Sequence, residues 1–460
     1  MLKNFLLNND ILVKNIYSNF INNLTLLINR FFQITVFLFF IDKSLYSLWI
    51  LVVSMTSLFT FFDLGIINFI GNLLLKHKNK GNSNFYLKYL YLGKRVIHIA
   101  SLVIFLILIL FFLYFNTNFI GINDINSNLF KFILIFFTIG IIIQNYIGYY
   151  FQVLRANDKM YIATYIISFV NLVQLIFIFL SLFISNNLLI TAFVYNVCFL
   201  ISFFLLYKKV KDLDLINNKN NKINSFRFIF IKKVFKGSFS YLFISINHLV
   251  LNFIPILTLK KYFSEEILVD FFIYKSFVLY ALQFMNIFFY SFQPELNKLY
   301  FSNNFNKKKL NSLLDRLFLI LLLLIIGTYL FSFIFGELLF AIWTNNKTII
   351  DYNLLSIFLI FIVIRLMWSF IMNFLQSINY LLITSIAYSI FSLIFFIIII
   401  IFARKFEFLN FCKIILFSEF ILLLFLNLII LNHNKIYRLF FYIKQSLLLI
   451  LSFIVFFVYI

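Results

Sequence analysis

The chain has 460 residues, of which 63% are hydrophobic and 12% are charged, and its mean hydropathy of +1.02 excludes a soluble multi-domain protein. The formal net charge of +22 would suit nucleic acid if the basic residues were gathered on one surface. They are instead spread between apolar segments, which indicates a multi-pass membrane protein and argues against a nucleic-acid partner.

Apolar windows of about 20 residues follow one another along the chain, as expected for bilayer-spanning helices. We predict an all-α polytopic membrane protein with about 12 transmembrane helices, in two bundles of about six. The predicted domains are an N-terminal bundle at 1–207, a cytoplasmic linker at 208–236 and a C-terminal bundle at 237–432. A basic segment and a short apolar helix follow at 433–460, and that helix is either a thirteenth span or an interfacial helix.

The basic residues are distributed unevenly between the two sides of the predicted spans. With the N-terminus in the cytoplasm, about 27 of the 38 Lys and Arg residues fall in inward segments and about 7 in outward segments. The positive-inside rule requires such an excess, so we predict a cytoplasmic N-terminus. The segment before the first span lacks a small-residue cleavage motif, and we expect no removable signal peptide.

The first predicted span, near 16–40, carries polar side chains on one face. At 100° per residue these side chains fall within an arc of about 120°. They are Asn15, Asn19, Asn22, Asn23, Asn29, Arg30 and Gln33. Small polar side chains inside a bilayer often join helices, whereas an arginine near mid-depth costs roughly 2.5–3.5 kcal/mol and is usually kept for a cavity or a partner. The arc therefore predicts a cavity-lining or a helix-pairing face, and Arg30 favours the cavity.

Further cations lie in other predicted spans. Arg365 is about 13 residues, or roughly 20 Å, into the tenth span, whereas Lys275 lies nearer the outer end of the eighth span, where a lysine can snorkel. Guanidinium groups bind phosphate oxygens in a bidentate way, so these cations would suit a diphosphate or another anionic head group. The predicted binding set for that group is Arg30, Arg365, Lys275, His248, Asn22, Asn29 and Gln33.

Acidic residues within the predicted spans are few. Glu419 lies about eight residues into the twelfth span and is a candidate site for a coupling proton or sodium ion. Alternatively, it pairs with Lys413 or with a neighbouring helix. Asp63 and Gly65 stand at the end of the second span, Asp63 roughly 26 Å along it from Tyr46. They predict an element that ends the helix, or a hinge beside the inner gate.

The chain lacks the motifs of common catalytic sites. It contains no GxxxxGK[ST] phosphate loop, GxSxG elbow, HExxH or CxxC. Its longest predicted outward loop, 116–128, leaves no room for a catalytic domain. Cys198 and Cys412 lie in apolar runs, which argues against a disulfide framework or a zinc site. We therefore predict a transporter rather than an enzyme, with no catalytic residues, no metal and no cofactor.

Three segments carry a recognisable pattern. The first is YSLWILVVSMTSLFTFFDLGIINFIGN at 46–72, an apolar run that ends in Asp-Leu-Gly. The second is FYSFQPELNKLY at 289–300 and the third is GELLFAIWTNN at 336–346. In order and spacing they resemble the second, eighth and ninth spans of bacterial polysaccharide (O-antigen type) flippases, over nearly the whole chain. The sequence departs from the family where Ser47 and Leu48 replace the glycine before Trp49.

The resemblance implies membership of the multidrug/oligosaccharidyl-lipid/polysaccharide exporter superfamily. It implies two six-helix bundles around a central V-shaped cavity with alternating access, in the bacterial cytoplasmic (inner) membrane. The implied substrate is an undecaprenyl-diphosphate-linked oligosaccharide, a polysaccharide repeat unit, moved from the cytoplasmic to the outer leaflet. The implied partners are the lipid bilayer and polysaccharide assembly proteins. In related flippases, cationic residues on the first and eighth spans contact the diphosphate, and Arg30 and Lys275 match them by span and approximate depth.

Two other function classes stay open as alternatives. A cation-coupled multidrug exporter of the same fold would need acids in its cavity, and here the mid-depth charges are mainly basic. A polytopic oligosaccharide polymerase or glycosyltransferase would need a large outward loop or an aspartate-rich catalytic loop, and the sequence has neither.

Overall fold

The computed structural model describes residues 10–60, 65–114, 124–213, 234, 238, 253–280, 282–283, 307–377, 381–402 and 407–431. Every regular element within these residues is a helix. The all-α fold of a polytopic membrane protein, expected from the sequence, is therefore confirmed.

The chain divides into two compact units, Met1–Lys261 and Tyr262–Ile460. The helices of the first unit are α1 (Asp10–Phe40), α2 (Lys43–Thr60), α3 (Ile66–Asn79), α4 (Ser83–Tyr114), α5 (Asp124–Ala156), α6 (Met160–Ser185), α7 (Leu188–Asp212) and α8 (253–262). The helices of the second unit are α9 (265–280), α10 (Lys307–Thr344), α11 (Tyr352–Ser377), α12 (Leu381–Phe402) and α13 (Phe408–Leu431).

The division between the units falls at the end of α8, after the predicted linker at 208–236. Helix α8 belongs to the first unit through Lys260, which is buried and whose Nζ donates a hydrogen bond of 3.3 Å to Ser47 Oγ. Most of the linker and all of 433–460 lie outside the described residues. The domain boundaries at 207 and 237 therefore stay a prediction.

Seven of the described helices are long and apolar enough to cross a membrane, by length and composition: α1, α4, α5, α6, α7, α10 and α11. They differ in how much of their surface is covered. Helix α11 is buried over 83% of its most apolar window, as expected of a helix that is apolar on all sides. Helix α10 instead exposes apolar side chains such as Leu319, Leu323 and Leu330, as a lipid-facing helix does.

Helix α5 is the centre of the first unit, because it packs against α2, α3, α4, α6 and α7. Helix α1 lies along α6, which in turn packs on α7. In the second unit α11 packs against α13 and, less extensively, against α10 and α12. Helices α6 and α11 therefore place the polar residues of α1 and α13 inside packed interfaces.

The region after the second predicted span is more helical than the hydropathy suggests. Gly65 has a φ of 65°, a left-handed conformation that glycine adopts without strain, and α3 begins at the next residue. Helix α4 begins at Ser83, well before the uniformly apolar part of its sequence. The added turns are amphipathic, and their apolar face, including Tyr86 and Leu90, is buried in a cluster with α3 and α5. A hydropathy window detects only the uniformly apolar part of such a helix.

Candidate functional site

The polar face of α1 lies partly against α6. Asn29, which is 8% exposed, donates from Nδ2 to the backbone oxygen of Asn171 at 2.9 Å. Two helical turns earlier on α1, Asn22 Oδ1 accepts a hydrogen bond of 3.2 Å from Ser168 Oγ. Such bonds between amides, hydroxyls and backbone carbonyls join helices inside a bilayer. This part of the predicted arc therefore pairs helices.

Arg30 follows Asn29 on α1 but is exposed. Its guanidinium interacts electrostatically with the phenol of Tyr195 on α7. Gln33, one turn further along, is half-buried. An arginine within a bilayer helix is costly unless it faces water, a partner or a polar ligand, and a ligand-binding role for Arg30 stays a prediction.

An aromatic cluster fixes Tyr195 beside Arg30. The rings of Trp49 and Phe137 lie 6.0 and 5.0 Å from that of Tyr195, and Trp49 also packs on Phe37 at 4.6 Å. Trp49 is 3% exposed. Aromatic pairs at these distances add stability beyond the area that they bury, so the neighbouring rings stabilise the position of Tyr195.

The second unit places charged side chains in its interior. Arg365 on α11 and Glu419 on α13 form a hydrogen-bonded ion pair through Nη1 and Oε1. Glu419 Oε2 accepts a second hydrogen bond, of 2.6 Å, from Trp368 Nε1. Arg365 is 6% exposed and Glu419 is fully buried. Each carboxylate oxygen thus has a strong donor, which a buried charge requires.

The ring of Trp368 has a second role in this arrangement. It lies one turn from Arg365 on α11, and the guanidinium carbon is 4.8 Å from the ring centroid. Phe361, on the preceding turn, approaches the same group at 5.8 Å. Arginine stacks favourably on aromatic faces, so Arg365 is held by Glu419 and by the rings of its own helix.

Lys275 on α9 belongs to the same cluster. It is 9% exposed, it interacts electrostatically with both Arg365 and Glu419, and its Nζ lies 5.8 Å from the centre of the Phe271 ring. We name Lys275, Arg365, Trp368 and Glu419 the charged cluster. Its members lie about 10 to 16 residues, or roughly 15–24 Å, from the starts of their helices.

The structure thus brings together three of the predicted site residues, Lys275, Arg365 and Glu419, within the second unit. Asn22, Asn29 and Arg30 lie in the first unit. His248 and Asp63 lie outside the described residues. Glu419 pairs with a neighbouring helix, as one of the two interpretations expected, and Lys413 is exposed. The roles of all these residues in binding or coupling stay predictions.

Sequence reasoning missed four contributors. Trp368 is a hydrogen-bond donor rather than only a packing residue, and its spacing of three residues from Arg365 was the available signal. Ser168 and Asn171 share one face of the apolar α6 at the same spacing, which marked a helix-pairing face. Tyr195 could be placed beside Arg30 only by the tertiary structure.

In the part of the chain that the structure describes, no group of three or more His, Cys, Asp or Glu side chains is placed to bind a metal ion. Cys198 and Cys412 are buried free thiols. The first unit carries the exposed guanidinium of Arg30, and the second carries two cations with one carboxylate.

No protein-family model and no curated protein sequence matches the chain. Solved structures do. A multidrug resistance MATE family transporter of the MOP superfamily, inward-facing, aligns with a TM-score of 0.64 and 11% identity over 92% of this chain and 96% of its own. The lipid II flippase MurJ, inward closed, aligns with a TM-score of 0.64 and 15% identity over 96% and 91%.

A third match is a MOP superfamily transporter from Pyrococcus furiosus, for which a reverse polarity of the binding pocket is described as suggesting a different function. It aligns with a TM-score of 0.62 and 14% identity over 96% of both chains. The chain therefore has the fold that these MOP superfamily transporters share.

Proposed function

We propose that this chain is a membrane transporter, specifically a flippase that moves a lipid-diphosphate-linked oligosaccharide from the cytoplasmic to the outer leaflet. The fold that it shares with MATE transporters and with the lipid II flippase MurJ supports transport. The proposed setting is the bacterial cytoplasmic membrane with a cytoplasmic N-terminus. The proposed mechanism is alternating access by rocking of two helical bundles, without covalent chemistry.

The observation that carries this proposal is the exposure of Arg30 on the polar face of α1, a helix long enough to span a membrane. A cation in a low-dielectric setting attracts an anion far more strongly than it would in water. A guanidinium can bind two phosphate oxygens at once, which suits a diphosphate head group. The rings of Trp49 and Phe137 pack against Tyr195, with which the Arg30 guanidinium interacts. Arg365 and Lys275 are the proposed cations on the side of the second unit.

A cation-coupled multidrug exporter of the same fold is the second candidate, because a MATE multidrug resistance transporter is among the structural matches. Such a pump needs a carboxylate that can exchange a proton or a sodium ion. Both oxygens of Glu419 already accept hydrogen bonds, from Arg365 and Trp368. A coupling ion would have to break a buried ion pair, which is costly, so we favour the flippase.

The proposal is tested by reconstituting the protein in liposomes with a fluorescent undecaprenyl-diphosphate-linked oligosaccharide. A membrane-impermeant quencher reports how fast the label changes leaflet. We expect Arg30→Ala to slow that movement by about tenfold or more, because a bidentate contact with phosphate is lost. Thermal unfolding of the variant should match the parent, since Arg30 is exposed.

Lys14→Ala is the matched control. Lys14 is an exposed cation of the same helix, near its start, with its Nζ 5.9 Å from the Tyr161 ring. Its removal should leave the rate within about twofold, because surface charges contribute little. Equal rates for Arg30→Ala and the parent would contradict the proposed role of Arg30. Efflux of ethidium driven by a cation gradient, without movement of the labelled lipid, would select the multidrug exporter.

A further inference from the structure

A chain of polar side chains holds an arginine at the end of the first unit where α5 stops. Arg155 Nη1 donates a hydrogen bond of 3.2 Å to Gln152 Oε1, and Gln152 Nε2 donates one of 3.2 Å to Asn68 Oδ1 on α3. Gln152 is 5% exposed, whereas Arg155 is half-buried. The buried carboxamide thus connects a half-buried guanidinium on α5 to the neighbouring helix.

The packing of α3 against α5 is built around that carboxamide. A Cβ atom on Gly71 of α3 would lie 2.1 Å from Gln152 Oε1, closer than any two such atoms can approach. The position therefore has to be glycine for Gln152 to occupy its place. The side-chain amide of Gln152 has a fixed orientation because its oxygen and its nitrogen are both hydrogen-bonded. It therefore also orients the guanidinium of Arg155, from which its oxygen accepts a hydrogen bond.

The surrounding helices are tied together at the same end of the unit. Tyr149 on α5 donates its hydroxyl hydrogen to the backbone oxygen of Leu90 on α4 at 2.7 Å. Asn157 Nδ2, just beyond α5, donates to the Tyr86 hydroxyl at 2.7 Å. These hydrogen bonds, together with the one between Gln152 and Asn68, join α3, α4 and α5 near Arg155.

The charge at this end of the unit favours an anion. Lys76 and Lys78 in the last turn of α3, and Lys94 and Arg95 in the first half of α4, are all exposed. Asp158, three residues after Arg155, is the nearest acid in sequence and is exposed as well. With the proposed topology this end is cytoplasmic, where a substrate assembled on the inner leaflet would first arrive.

We propose that Arg155, positioned by Gln152 and Asn68 across Gly71, binds a phosphate group of the lipid-linked substrate at the cytoplasmic end of the first unit. This inference rests on the proposed flippase function. A guanidinium matches two phosphate oxygens, and holding it in place before the ligand arrives lowers the entropy lost on binding.

Binding is tested with inorganic diphosphate, titrated calorimetrically into the full chain in nanodiscs of phosphatidylcholine. We expect the parent to bind, and Arg155→Lys to bind about tenfold more weakly, because lysine keeps the charge but loses the planar fork. Arg95→Lys is the matched control, an exposed arginine on α4, and should bind within about twofold of the parent.

Gly71→Ala tests the positioning without altering any charge. Its added methyl group would displace Gln152, so it should weaken diphosphate binding as much as Arg155→Lys does. In the liposome assay, Arg155→Lys should raise the half-saturating concentration of labelled lipid about tenfold and leave the maximal rate near that of the parent. A purely structural role would instead lower the maximal rate and the unfolding temperature.

Several outcomes would overturn the assignment: no diphosphate binding by the parent, equal binding by Arg155→Lys, or equal weakening by Arg95→Lys. Nanodiscs containing phosphatidylglycerol distinguish the source of the phosphate. If that lipid abolishes diphosphate binding while Arg155→Lys leaves the half-saturating concentration unchanged, the site belongs to bilayer lipid and the inference is wrong. Arg155-dependent diphosphate binding in a protein that moves no labelled lipid would support the phosphate site and refute only the flippase function.

Discussion

The two units treat polar groups in the interior of their helices in different ways. Where α1 meets α6, the first unit uses neutral amides and hydroxyls, such as Asn29 and Ser168, and the neighbouring Arg30 is exposed. In the second unit, Arg365 and Glu419 are buried and bonded to each other.

The difference has an energetic meaning. A neutral hydrogen bond between helices in a bilayer contributes about 0.6 kcal/mol on average, so breaking one such bond where α1 meets α6 costs little. Removing one partner of a buried ion pair costs about 3–5 kcal/mol, so the second unit resists any change at the charged cluster. The exposed guanidinium of Arg30 thus differs from the buried charges of the second unit, which bond to each other.

The sharpest test of this contrast is Glu419→Leu. It leaves Arg365 buried without its carboxylate, close to Lys275, and should destabilise the second unit by about 3–5 kcal/mol. The measurement is reversible unfolding in mixed detergent, followed by tryptophan fluorescence. A loss below about 1 kcal/mol would mean that the pair is no more important than a surface ion pair, and the contrast would fail.

Arg365→Met combined with Glu419→Leu is the matched control for that experiment. Removing both charges replaces the pair with apolar groups, which is often neutral or stabilising in other proteins. We expect the double variant to recover most of the stability lost by Glu419→Leu alone. Additive losses would show that the two side chains do not act as a pair.

Trp368→Phe should have the next largest effect. The substitution removes the donor of the 2.6 Å hydrogen bond to Glu419 Oε2 and keeps an aromatic ring near the Arg365 guanidinium. Hydrogen bonds to charged groups contribute about 1.5–3 kcal/mol, and we expect a loss of that size in the same unfolding assay. In the background without the Arg365–Glu419 pair, the same substitution should cost much less, because its acceptor is gone.

The fold class could be predicted from the sequence because each spanning helix must satisfy its own backbone within an apolar run of about 20 residues. Hydropathy alone does not detect helical turns that are amphipathic. The extra turns of α4 before residue 96 carry Lys88 and Lys94 among buried Tyr and Leu residues, and the mean hydropathy there falls below that of a span. Only the periodicity of their apolar face marks them as helical.

The charged side chains within the helices could be recognised from the sequence, but their contacts could not. A mid-helix arginine or glutamate is conspicuous in so apolar a chain, and Arg30, Arg365 and Glu419 were identified in that way. The pairing of Arg365 with Glu419, 54 positions apart, depends on how α11 packs against α13. Arg155 was not identified because cytoplasmic helix ends are rich in cations, and nothing in the sequence distinguishes the one that a buried glutamine holds.

Asn29→Ala should have the smallest effect, and it tests the other side of the contrast. The substitution removes the 2.9 Å hydrogen bond to the backbone oxygen of Asn171 between α1 and α6. Because the Asn171 carbonyl keeps its bond within α6, the loss should be near 0.6 kcal/mol and below about 1.7 kcal/mol. Ser168→Ala, which removes the neighbouring bond to Asn22, should give a similar value in the same unfolding assay. A loss from either substitution as large as that from Glu419→Leu would mean that a neutral hydrogen bond in the first unit contributes as much stability as the buried ion pair in the second. The contrast between the two units would then fail.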